Sequence, residues 1–139
     1  MKSNFSFLEK LFPALEKHGS LSESYLYSDP NTCLYKLGIF SETVVNYMFD
    51  LDKFTEPTYD NTFANRIKIL KREGLLSRDI DDILYHLRKK RNEAVHAGHD
   101  SFEDCKTLLK MAHSLAIWFM QTYGDWNFNA GNFVMPEDN

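Results

Sequence analysis

An all-α fold, an antiparallel bundle of about five to six helices, follows from three features of this 139-residue chain. Apolar residues recur at intervals of three and four through most of its length. Helix-start signals, Ser or Asp ahead of an apolar run, punctuate it repeatedly. No stretch alternates apolar and polar residues with period two over strand length.

The elements are expected in this order. Ser6-Phe7-Leu8-Glu9 has capping-box spacing and opens a helix carrying Leu8, Leu11, Phe12 and Leu15, bent or restarted at Pro13 and stopped at Gly19. A second box, Ser20-Leu21-Ser22-Glu23, predicts a short helix to about Tyr27. Asp29-Pro30 pairs an N-cap acid with proline at the first helical position and starts a helix to about Asp50, with Cys33, Leu37, Phe40, Val44, Tyr47 and Leu51 inward. Phe54 to Asn61, with Pro57, reads as a loop. The next helix spans about Thr62 to Glu73, with Phe63, Ile67 and Leu70 inward and Gly74 at its end. Ser77 caps the fifth, whose inward stripe runs Ile80, Ile83, Leu84, Leu87, Arg91, Ala94, Val95 and stops at Gly98. A third box, Ser101 to Asp104, opens the most apolar helix, Cys105 to about Tyr123. Residues 1–124 therefore form one bundle. Residues 125–139 form an irregular tail whose Trp126, Phe128 and Phe133 either fold back or meet something else, and which predicts a polypeptide continuing downstream.

Composition sets the class. With 43% hydrophobic and 14% aromatic residues, the chain has enough material for one packed core without disulfides. Cys33 and Cys105 fall at apolar helix positions, as small buried thiols do in a reducing cytoplasm. No CxxC pair or Cys/His cluster has metal spacing, so no metal or other cofactor is expected. The N-terminus lacks a signal-peptide pattern and no apolar run has spanning length, so a cytoplasmic protein without membrane contact is expected.

The net charge of −4 argues against a generic nucleic-acid binder, but the charge is unevenly spread. Between Arg66 and Arg91 nine basic residues face four acids, so this window carries +5 and the remainder −9. Lys68, Lys71, Arg72, Arg88, Lys89, Lys90 and Arg91 are the candidate contacts to a phosphate backbone, in DNA or RNA. A merely solvated helix face is the competing reading.

Within this window, Arg91, Asn92 and His96 are the candidate catalytic group. Asn92 and His96 share a helix face, whereas Arg91 and His96 lie about 140° apart, so all three converge only if the helix loosens near Gly98. Arginine would grip a phosphate with its planar fork, and histidine titrates near neutrality. Because RNA carries its own 2′-hydroxyl nucleophile, such a site needs no metal. A second histidine would come from a symmetric homodimer. The structural alternative is a cation-rich helix C-terminus that favours the dipole, with Asn92 bonding a neighbouring loop. The remaining candidates are weaker. His86, His99 and His113 lack a carboxylate at helical metal spacing, and Asp79, Asp81 and Asp82 suit a helix N-terminus. There is no phosphate-binding glycine loop and no GxSxG.

Arg91-Asn92-Glu93-Ala94-Val95-His96 resembles the Arg-x4–6-His motif of HEPN domains, helical bundles many of which are metal-independent, dimeric RNases. Asp29-Pro30 through Leu37, Leu87-Arg88 through His96, and Leu115 through Phe119 resemble one branch in particular. That branch is the HEPN-like domain at the N-terminus of type I restriction enzyme R subunits and related helicases, and the likeness runs from about Phe7 to Phe133. The resemblance implies an accessory domain, non-catalytic by itself, that contacts other restriction-modification subunits, downstream domains or nucleic acid. Cleavage and ATP-driven translocation would belong to regions absent from these residues. The alternative it carries is an endoribonuclease with Arg91 and His96 catalytic and Asn92 the polar residue after the arginine.

Overall fold

The computed structural model describes residues 2–54 and 62–138. The described residues are all helical or irregular, with five α-helices and no strand. They are α1 (Pro13–Ser24), α2 (Pro30–Leu51), α3 (Phe63–Arg72), α4 (Arg78–Ala97) and α5 (Phe102–Phe119). A 3-10 turn (Ser6–Leu8) precedes them, and one π-helical turn (Met120–Gly124) prolongs α5. The loop expected over Phe54–Asn61 lies, apart from Phe54, outside the described residues.

Local capping chemistry sets the helix starts. Asp29 accepts from Thr32 N at 3.2 Å, Thr62 from Asn65 N at 3.2 Å, Ser77 from Ile80 N at 3.3 Å and Ser101 from Asp104 N at 3.1 Å. Pro30 and Pro13 occupy first-turn positions, where a missing N–H costs nothing. Gly74 and Gly98 end α3 and α4 at φ of 73° and 68°, the left-handed region that favours glycine.

Helix α2 is the centre: it touches α1, α3, α4 and α5. Its buried residues, among them Cys33, Leu34, Leu37, Phe40, Ser41, Val44, Val45 and Met48, cover more than one stripe, as a helix with neighbours on several sides requires. Short links join α1 to α2 and α4 to α5, so each pair packs antiparallel. Arg91 of α4 crosses α2 at Gly38. A Cβ at position 38 would fall inside the Arg91 side chain, and the guanidinium Nη2 continues to Glu42 Oε1 at 3.1 Å.

Several expectations differ from the structure for reasons that lie in tertiary contacts. Gly19 does not stop a helix. It sits inside α1 because the Phe5 ring occupies the space its Cβ would need. The Ser6 box yields only the 3-10 turn, with no side-chain cap. The Ser20 box does not form: Ser20 Oγ donates to Glu16 Oε1 at 2.8 Å, and Glu23 turns to Asn4. Leu51 and Val95, assigned to inward stripes, are exposed. Cys33 and Cys105 are both free and fully buried.

The tail folds back. Phe128 stacks on Phe7 at 4.7 Å, and Phe133 meets His113 edge-on at 5.5 Å. Asn4 donates to Val134 O at 2.7 Å and accepts from Val134 N at 2.8 Å, pairing the two ends of the chain. The same Asn4 amide donates to Glu23 Oε1 at 2.6 Å, and its backbone N–H to that oxygen at 3.0 Å. Tyr27 OH donates to Pro136 O at 2.6 Å. Trp126 stays out, at 81% exposure.

Two predictions follow from these contacts. Gly38→Ala gains helix propensity, yet it forces the near end of the Arg91 side chain off α2. We expect a net loss of about 1–3 kcal/mol in urea unfolding, partly restored in the Gly38→Ala/Arg91→Ala double variant. Burial raises the Glu23 carboxyl pKa above its ordinary 4.5, against the hydrogen bonds from Asn4 and Ser3 that oppose the shift. The folded protein thus holds that proton more tightly than the unfolded chain does. The stability it contributes is fully present below about 4.5 and is lost as pH rises through the raised value. Relative to Glu23→Gln, the native protein should therefore lose stability across that window in urea titrations at stepped pH. A pH-independent difference would contradict the assignment.

Candidate nucleic-acid interface

The basic window divides into two environments. The first is the face shared by α3 and α4, which the turn through Gly74 and the Ser77 cap bring side by side. Here a groove of about 400 Å³ is lined by Ala64 and Ile67, by the basic Lys68, Lys71 and Arg88, and by Asp81, Asp82 and Tyr85. Lys71 pairs with Asp81 at 3.2 Å, and Arg72, just outside, with Glu73 at 3.4 Å. Among the described residues Lys68 and Arg88 have no carboxylate partner. Lys89 Nζ lies 6.0 Å from the centroid of the half-exposed Tyr85 ring. Five of the seven sequence-predicted contacts, Lys68, Lys71, Arg72, Arg88 and Lys89, thus belong to this face or its border.

The other two are engaged elsewhere. Lys90 bridges Glu93 at 3.1 Å and Asp104 at 3.2 Å, and these two carboxylates raise its pKa. Asp104 also bonds His99 Nε2 at 2.7 Å, and this contact, with Lys90, holds its carboxyl below the usual range. This network ties the end of α4 to the start of α5. Arg91, with its Nε buried and unbonded, is committed to Gly38 and Glu42 in the α2–α4 interface.

The candidate catalytic group is not drawn together. Arg91 points at α2, while Asn92 and His96 are exposed, and no hydrogen bond links the three among the described residues. The helix end is fixed by a residue the sequence reading passed over. Asn31 Nδ2 donates to Ala94 O at 2.9 Å, a carbonyl that α4 leaves without a helical partner, and to His99 O at 2.8 Å in the turn that follows. Its one sequence signal is an amide at the first turn of α2, which does not reveal a partner more than sixty residues away. The His99–Asp104 pair was equally hidden, because it straddles the turn between two helices. His113 is buried among Phe5, Phe7 and Phe133, and that burial lowers its pKa.

Among the described residues, no three His, Cys, Asp or Glu side chains stand close enough to hold a metal ion, and no helix is long and apolar enough to cross a membrane. The fold and the groove define a small all-helical domain with one mainly basic face. The chain belongs to the family described as "Domain of unknown function (DUF4145)", whose model matches residues 21–136. It is also 28% identical, over 137 residues, to the type I restriction enzyme EcoKI endonuclease subunit of Escherichia coli (strain K12). That alignment covers 98% of this chain and 12% of the relative, so the chain spans about an eighth of that protein's length. No solved structure matches it.

Proposed function

We propose that this is an accessory, HEPN-like helical domain of a type I restriction system, non-catalytic by itself, that contacts nucleic acid through the α3–α4 face. The observation that carries the reading is the groove in which Lys68 and Arg88 stand without carboxylate partners among the described residues, beside Lys71 and with Lys89 at its border. Cations left free on one face of an otherwise acidic domain are available to displace counterions from a phosphate backbone. The likeness to a restriction endonuclease subunit supports a place beside other restriction components, and on that reading the domain works in the cytoplasm with DNA as the polymer at hand.

The endoribonuclease alternative requires Arg91 and His96 at one phosphate. Arg91 spends its guanidinium on Glu42, and His96 stands in solvent on the other side of α4's end. This geometry favours the non-catalytic reading.

The test is DNA binding by fluorescence anisotropy across a salt series. Lys68→Ala and Arg88→Ala should each weaken binding and reduce the salt slope by about 1, with His96→Ala nearly silent. Binding that ignores salt, or that ignores both lysine and arginine variants, would remove the proposal.

A further inference from the structure

The α3–α4 groove holds a feature that a surface for phosphates alone does not need. Tyr85 projects from α4 at 49% exposure, with Arg88 and Lys89 on the next turn of the same helix and Lys68 and Lys71 opposite on α3. Lys89 already lies near the ring, 6.0 Å from its centroid. Ala64 and Ile67 add apolar lining to the groove, and its volume of about 400 Å³ falls in the range of pockets that hold small organic ligands. An exposed aromatic ring ringed by cations beside an apolar recess is the arrangement that takes an unstacked base together with its flanking phosphates.

The acids in the groove bear on which part of a nucleotide goes where. Asp81 is neutralised by Lys71 at 3.2 Å. Asp82 has no ion pair among the described residues and repels a phosphate, so the phosphates are directed to the Lys68 and Arg88 end. A carboxylate beside the stacking position instead accepts from an exocyclic base amine, as aspartate does with cytosine N4.

We infer that the groove between α3 and α4 is a single-strand nucleic-acid site in which one base stacks on Tyr85 and its flanking phosphates lie against Lys68, Arg88 and Lys89. The inference rests on the nucleic-acid reading above and deepens it by naming the form of the polymer. In a duplex every base face is already stacked, so Tyr85 has nothing to take. A single strand, whether displaced DNA or RNA, offers a free face. The shared requirement is an unpaired base with phosphates on both sides.

The 139-residue chain should be titrated by anisotropy against a labelled cytosine-containing DNA strand, the RNA strand of the same sequence, and the DNA duplex of the same length. Single strands should bind more tightly than the duplex. Tyr85→Ala should weaken single-strand binding roughly five- to 150-fold, leave duplex binding unchanged, and be rescued by Tyr85→Phe, which keeps the ring. The position is exposed, so neither variant disturbs the core. If strands and duplex bind equally and Tyr85→Ala is silent, the stacking site is wrong while the nucleic-acid face stands. If no polymer binds even at low salt, both fall. DNA and RNA strands that bind alike, or a preference for one of them, each leave the base-stacking geometry supported; loss of binding in Lys68→Ala with none in Tyr85→Ala overturns it.

Discussion

Arg91 lies across α2 where Gly38 presents no side chain, and its guanidinium reaches Glu42 one turn further along. This crossing fixes how closely the two long helices approach. A side chain at position 38 would push α4 outward, and everything α4 carries would move with it: the Lys90–Glu93–Asp104–His99 network at its end and the Arg88–Tyr85 face at its middle. The ion pair is partly exposed and contributes little through charge alone. Its weight is steric, because the arginine stem fills the α2 groove as an apolar side chain does elsewhere.

The crossing also sorts the positive charge. One helix turn separates Arg88 from Arg91, yet the first opens onto the groove with α3 and the second is folded into the core side. Lys90 is spent on two carboxylates that join α4 to α5. The unbroken basic run from Arg88 to Arg91 is therefore three different things in space: a surface cation pair beside an aromatic ring, an inter-helix strut and a packing element. This division leaves the cations without carboxylate partners among the described residues on the α3–α4 face rather than at the end of α4.

Helix starts were legible because capping is local: Asp29, Ser77 and Ser101 each bond an amide three residues on. The glycine ends at Gly74 and Gly98 were legible for the same reason. Gly19 was misread as a stop because its purpose depends on Phe5, which arrives from outside the helix. Capping-box spacing at Ser20 misled because Glu23 has a stronger engagement with Asn4. The basic window was visible as a charge excess, but which cations remain free depends on Glu42, Glu93 and Asp104. All three lie outside the window, and nothing in local spacing assigns them. The role of Asn31 in closing α4 was invisible on the same ground.

The proposal is positional: a nucleic-acid strand would meet the domain along α3 and the middle of α4. Amide chemical-shift mapping on the isotope-labelled chain, titrated with a DNA strand, tests it residue by residue. The account predicts shifts gathered at Ala64, Ile67, Lys68 and Lys71 and at Tyr85, Arg88 and Lys89, with little change around His96. Shifts centred on Asn92, His96 and Gly98 would contradict it and return attention to the end of α4.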